Sequence, residues 1–97
     1  MASIRFDAAA RSDVLDALDW YNSLSPALAA QFRIELESVI ERISANPNQY
    51  ALVTDAIRHA RFRRFPYSLF FRADDDRVRV IACFHASRNP IIWQSRD

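Results

Sequence analysis

Glycine and lysine are both missing from this sequence, and cysteine occurs once. Without glycine there is no Walker loop, no dinucleotide-binding fingerprint and no EF-hand loop. Each needs a residue without a Cβ where the backbone approaches a phosphate or turns sharply. Nucleotide-driven chemistry is therefore not expected. Cys83, being alone, forms no internal disulfide and belongs to no cysteine cluster that would hold zinc. No metal and no cofactor are expected. No apolar run approaches the roughly 18–20 residues that span a bilayer. The opening residues Met1 to Asp7 lack the charged start and long apolar stretch of a signal peptide. The expectation is a cytoplasmic protein with no membrane partner.

Without lysine, all thirteen cations are arginine. A coding bias accounts for such a composition by itself, but the chemical consequence stands. Arginine stays protonated and grips phosphate or carboxylate in a planar fork. The net charge of +1 hides a division of the chain. Residues 1–55 carry four arginines against eight acids, and residues 56–97 carry nine against four. At 97 residues, 51% hydrophobic and 26% charged, the chain reads as one globular domain over residues 1–97.

Ser3 to Phe6 alternates and predicts a short strand. Asp7 sits where a carboxylate caps a helix, and a helix follows from about Ala8 to Ser23. Its apolar stripe is Val14, Leu15, Leu18 and Tyr21, which leaves Asp13, Asp16 and Asp19 toward solvent. Ser25-Pro26 opens a second helix after a short connection of about three residues. That helix buries Leu28, Phe32, Leu36, Val39, Ile40 and Ile43. Glu35, Glu37, Glu41 and Arg42 fill much of the rest, and Asn46-Pro47 stops it. Period 2 then takes over. Ile57 to Phe65 is a basic strand, and Phe65, Tyr67, Leu69 and Phe71 share a face of the next. Asp74-Asp75-Asp76 is a hairpin tip. The return strand, Arg77 to His85, puts Val78, Val80, Ala82 and Phe84 on one face and Ile81 and Cys83 on the other. The fold class is α+β in the order β-α-α-β-β-β. An N-terminal strand precedes an antiparallel helical hairpin packed on one face of a mainly antiparallel sheet of three to four strands.

The strongest chemical feature is Arg58, Arg61, Arg63, Arg64 and Arg72, with no acid between Ala56 and Ala73. Together they generate a positive field. Three readings stay open: nucleic-acid contact with Phe62, Tyr67 or Phe70 stacking on bases, docking of an acidic protein segment, or pairing with the acids of the helices. His85 ends a strand three residues before Arg88, an arrangement that can combine an acid–base group with a cation. His59 reads as a sheet-surface residue, the aspartate triplet as a turn, and Cys83 as inert core. Trp20, Tyr21 and Phe32 read as core. Trp93 either packs across the sheet edge or is offered to a partner.

Several segments recur together. Asp19-Trp20-Tyr21 ends the first helix, and Phe32-Arg33-x-Glu35-Leu36 with Ile40 and Ile43 marks the second. Asn46-Pro47-x-x-Tyr50 precedes Arg63-Arg64-Phe65-Pro66-Tyr67-Ser68-Leu69-Phe70-Phe71-Arg72. The closing run is Val78-x-Val80-Ile81-Ala82-x-Phe84-His85-x-x-Arg88-Asn89-Pro90-x-x-Trp93. This ordered set resembles the RelE/ParE superfamily of type II toxin–antitoxin toxins, and within it the ParE-like plasmid-stabilisation branch. The resemblance implies a growth-arresting toxin held by a cognate antitoxin encoded beside it, whose C-terminal segment lies over the helical hairpin and sheet. ParE-like members are associated with poisoning DNA gyrase; RelE-like members cut mRNA on the ribosome. The resemblance thus implies inhibition of gyrase by binding. Arg58, Arg61, Arg63, Arg64, Tyr67, Arg72 and Trp93 are then the candidates for holding antitoxin or target. Under the alternative, a ribosome-dependent mRNA endoribonuclease, the catalytic candidates are His85, Arg64, Arg72 and Arg88. The missing lysine weakens that alternative, because arginine does not deprotonate to act as a base.

Overall fold

A computed structural model describes residues 1–87. The chain runs β1 (Ser3–Phe6), α1 (Ala8–Leu24), α2 (Pro26–Ala45), a 3₁₀ turn (Pro47–Gln49), β2 (Arg58–Arg61), β3 (Tyr67–Asp74) and β4 (Arg77–His85). The sheet order is β1-β4-β3-β2. The pairings β2–β3 and β3–β4 are antiparallel, and β1 lies parallel to β4. The α+β arrangement expected from the sequence is therefore present, with a mixed sheet. The helical hairpin covers one face of that sheet, here called the inner face.

A single residue joins the helices where about three were expected. Ser25 closes α1 by donating its N–H to the Tyr21 carbonyl at 2.9 Å. Its hydroxyl accepts from the Ala27 amide at 3.2 Å, and Pro26 occupies the first position of α2. One residue thus serves as the end of one helix and the cap of the next.

The core lies between the hairpin and the inner sheet face. α1 supplies Ala10, Val14 and Ala17, and α2 supplies Phe32, Leu36, Val39 and Ile43. They meet Ala60, Leu69, Phe71, Val78, Val80 and Cys83, with Phe62 and Phe65 closing one end. Tyr21 stacks on Phe32 with ring centroids 5.4 Å apart and meets Phe65 edge-on at 4.9 Å. Leu15, expected in the apolar stripe of α1, and Trp20, expected in the core, are 56% and 59% exposed. Each follows an inward position by one residue or precedes one, and a step of one turns a side chain about 100° round the helix. Val14 and Tyr21 take the inward places.

The alternation expected along β4 breaks at a bulge. Phe70 pairs with Ala82 whereas Phe71 pairs with Val80, which leaves Ile81 as the additional residue. Val78 and Val80 therefore face the helices, while Ala82 and Phe84 join Ile57 and Ile81 in a second cluster on the outer face, against which Phe70 packs. β4 is buried on both sides, as its apolar residues on both faces imply. The β3–β4 tip needs a left-handed residue, and Asp75 supplies it at φ 52° in a chain without glycine.

Two aspartates depart from their sequence reading. Asp7 holds the N-cap position of α1, yet its carboxylate caps no helical amide. It pairs instead with Arg79 Nε at 3.1 Å. Asp13, expected toward solvent, accepts the Cys83 N–H at 3.0 Å. β1 ends opposite Val80, so beyond that rung α1 lies along the edge of β4 and provides the acceptor. Among the described residues no helix is long and apolar enough to cross a membrane.

Candidate functional site

The five arginines of the basic run occupy different surfaces. Arg58 stands opposite Phe71, on the inner side of β2. Its Nη1 donates to the carbonyls of Tyr50 at 2.6 Å and Asn48 at 3.4 Å, tying the 3₁₀ turn to the sheet. Arg61 stands opposite Ser68 and is exposed on the outer face. Arg72 is also on the outer face but four residues further along β3, roughly 13 Å away. Arg63 and Arg64 lie in the connection after β2, which ends at Arg61 and not at the expected Phe65. No continuous guanidinium platform links the five.

The connection between β2 and β3 is built around one carboxylate. Glu35 of α2 accepts the Arg63 amide at 2.8 Å and the Arg64 amide at 2.7 and 3.0 Å. Phe62 and Phe65 are buried on either side of the pair, and the Tyr67 amide donates to the Phe65 carbonyl at 2.8 Å. The main chain at Arg63 and Arg64 is thus fixed from below, and both side chains are exposed. Sequence reading gave Glu35 only as one of the charged residues that fill the rest of α2. Its position three residues after the buried Phe32, on the flank of the apolar stripe, was the available signal.

A row that sequence reading missed crosses the outer face. Arg5 of β1 is opposite Arg79 of β4, which is opposite Arg72 of β3. Like charges in register repel, and Asp7 bonds Arg79 from the end of β1. A depression of about 650 Å³ beside this row is lined by Ser3, Arg5, Asp74, Asp75, Asp76, Arg77, Val78 and Arg79. Its arginines and aspartates balance, so it is not a patch of one sign.

His85 and Tyr67 meet where β4 ends and β3 begins. Their rings are edge to face with centroids 5.3 Å apart. Tyr67 also packs against Phe32 at 5.3 Å and Tyr21 at 6.1 Å, so much of its ring is core. A cleft of about 100 Å³ at this end is lined by Asp13, Asp16, Ala17, Tyr67, Cys83, Phe84 and His85. His85 Nδ1 accepts the Ser87 amide at 3.1 Å and lies 2.9 Å from its hydroxyl. An Nδ1 that accepts from an amide leaves the ring proton on Nε2. Arg72 is five residues along β3 from Tyr67, roughly 17 Å away, and does not join this group. Arg64 does not line the cleft. Arg88 and Trp93 lie outside the described residues.

His59 stacks on Phe70 at 6.1 Å, and its pKa is lowered by burial and by the charge of Arg61. Burial, with Asp13 adding to it, pushes the Cys83 thiol up to about 12. A thiol so placed is no nucleophile near neutrality. Among the described residues no group of three or more histidine, cysteine or acidic side chains is arranged to hold a metal ion.

Comparison with known proteins gives this surface its setting. The family described as the ParE toxin of type II toxin–antitoxin system, parDE, matches residues 4–90. The chain belongs to the ParE toxin family. It is 25% identical over 88 residues to Toxin ParE2 of Mycobacterium tuberculosis strain CDC 1551 / Oshkosh, covering 90% of this chain and 84% of that protein. Toxin ParE2 of strain H37Rv matches to the same extent. In fold it is similar to a chain of the chromosomal ParDE TA system from P. aeruginosa, with a TM-score of 0.75 at 20% identity. That superposition covers 88% of this chain and 96% of the other. The ParE-like toxin expected from the ordered motifs is thus established, and an antitoxin partner comes with the family.

Proposed function

We propose that this ParE-family toxin acts by binding, is neutralised by its antitoxin, and inhibits DNA gyrase when free. The observation that carries the reading is the state of His85. Its Nδ1 lone pair is engaged by the Ser87 amide, so the ring offers a donor at Nε2 and no ready base. Of the arginines that would hold a scissile phosphate, the two among the described residues lie on other surfaces: Arg72 at the far end of β3, Arg64 above Glu35. Gyrase as the target follows from the ParE-like resemblance of the sequence, and the exposed arginines suit a surface that captures a partner.

The test is supercoiling of relaxed plasmid by purified gyrase with increasing toxin. Inhibition that antitoxin reverses supports the reading. The endoribonuclease alternative has one observation in its favour, the contact of His85 with Tyr67 beside Asp13 and Asp16. It expects toxin-dependent mRNA cleavage on translating ribosomes, with gyrase unaffected.

A further inference from the structure

The two edges of the sheet differ. Beyond β2 the edge is closed: the His59 amide donates to the Ala51 carbonyl at 3.2 Å, and Leu52 bridges to Arg58. Beyond β1 it is open. Ser3 and Asp7 donate their amides toward β4, to the carbonyls of Asp76 at 2.7 Å and Val80 at 2.9 Å. Main-chain groups alternate along a strand, so those of Ala2, Ile4 and Phe6 point out of the sheet. Ala2 is closed off by α2. Its amide donates to the Ser44 carbonyl at 2.9 Å, and its carbonyl accepts the Ser44 hydroxyl at 2.6 Å. The outward amides and carbonyls of Ile4 and Phe6 have no partner among the described residues.

Each face of this edge has its own character. On the helix side lies a groove of about 480 Å³, where the half-buried Ile4 and Phe6 meet Val14, Leu36 and Ile40. On the other side Arg5 is exposed and has no ion-pair partner among the described residues. Neither a proline nor a bulge interrupts β1, and these are the devices that commonly protect an edge.

We infer that β1 pairs antiparallel with β1 of a second copy of this chain, about a two-fold axis at Arg5, joining two four-stranded sheets into one. The register follows from which groups face out. An axis at Ile4 sets Phe6 against the partner's Ala2, which Ser44 already holds. An axis at Phe6 sets Ile4 against the partner's Ala8, which is helical. With the axis at Arg5, Ile4 meets the partner's Phe6 and Phe6 meets the partner's Ile4, each pair exchanging both main-chain hydrogen bonds. The strand is then its own complement. Apolar meets apolar beside the grooves, and each Arg5 stands diagonally across from the partner's Asp7, the acid it lacks in its own fold. The two Arg5 side chains face each other on the solvent side, where water and salt screen them and the aspartates offset their repulsion. This match of the strand to itself singles out a second copy among the extended chains that an open edge could accept.

The experiment uses the full-length toxin without antitoxin. Sedimentation velocity from about 1 μM to about 500 μM is expected to show a reversible shift from one chain of 11.2 kDa to twice that mass. Over the same range, exchange of the Ile4 and Phe6 amides should slow by about tenfold or more in NMR. Arg5→Cys tests the axis directly. Residues opposite one another in a non-hydrogen-bonded pair have Cα atoms about 4.5 Å apart, within disulfide reach, so oxidised glutathione should trap a covalent dimer. Arg61→Cys, exposed on the far edge strand, is the control, and the buried Cys83 does not compete. Ile4→Pro removes an outward amide and leaves the β1–β4 ladder intact, so it should stay monomeric, with its urea midpoint establishing that it is folded. A parent chain that remains monomeric throughout overturns the inference. So does trapping of Arg5→Cys no faster than of Arg61→Cys, or a dimer that Ile4→Pro leaves unweakened. Slow exchange at Ile4 and Phe6 that appears only when antitoxin is added assigns the edge to that protein and also overturns it. None of these outcomes bears on the gyrase reading, which the supercoiling assay decides separately.

Discussion

Glu35 meets Arg64 through the main chain and not through the guanidinium, with both carboxylate oxygens on one amide at 2.7 and 3.0 Å. The same carboxylate takes the Arg63 amide, so one side chain of α2 fixes the course of the chain between two strands. Glu35→Ala leaves both exposed amides to water and is expected to cost about 0.5–1.5 kcal/mol of stability. Glu35→Gln keeps an oxygen for one amide and should lose less. Urea unfolding midpoints of the two variants check the order. Equal midpoints for Glu35→Ala and the parent chain would show that the clamp contributes nothing.

Phe32 and Trp20 are both aromatic residues of the hairpin, and their truncations should differ widely. Phe32 is fully buried among Tyr21, Phe62, Phe65 and Tyr67. Phe32→Ala is expected to cost about 3–5 kcal/mol, by lost transfer free energy and the cavity left behind. Trp20→Ala removes a side chain that is mostly in water, and a change within about 0.5 kcal/mol is expected. Chemical denaturation of both variants under one set of conditions decides the matter.

His59 should titrate below its ordinary value of 6.5, because burial and then Arg61 disfavour the cation. The unfolded chain therefore binds this proton at a higher pH than the folded one. The stability that His59 contributes is present above pH 6.5 and is lost as the pH falls through the lowered folded value. An NMR titration of the His59 ring should give a midpoint below 6.5, raised in Arg61→Ala but not fully restored, since burial is the larger cause. A midpoint at or above 6.5 contradicts the assignment.

Cys83 tests the opposite end of the pH scale. Its thiol is held protonated up to about 12 against an ordinary value of 9.0. Stability from this group is complete below pH 9 and falls as the pH rises from 9 toward 12, by about 1.4 kcal/mol per pH unit at most. Cys83→Ala should flatten that decline. In the folded protein the thiol should resist alkylation at pH 8 and react once urea unfolds the chain.

Much of the fold was legible in the sequence because burial wrote it in period. Phe32, Leu36, Val39 and Ile43 recur at helical spacing, and Leu69 and Phe71 alternate, so helices and inner sheet face could be placed before any coordinates. The β4 alternation misled because a bulge at Ile81 adds one residue, and period 2 carries no mark of such an insertion. Asp13, Asp7 and Glu35 were missed as structural acceptors because polar partners 28 to 72 residues away leave no local pattern. The basic run was plain, yet its dispersal was not. Arg58 turns inward to carbonyls while Arg63 and Arg64 stand on a corner, and only the strand register and the Glu35 clamp decide that. The cleft at His85 needed the same information, since α1 and β4 bring Asp13 and His85 together across most of the chain.

The claim that this toxin captures its target without cutting it is tested most directly by gyrase supercoiling with the parent chain and with His85→Ala. The account predicts that both stop supercoiling, that antitoxin restores it, and that neither releases mRNA fragments from translating ribosomes. Unimpaired supercoiling at a molar excess of toxin would contradict it. So would mRNA cleavage that falls about 10²–10⁴-fold in His85→Ala, the loss expected of a removed acid–base group.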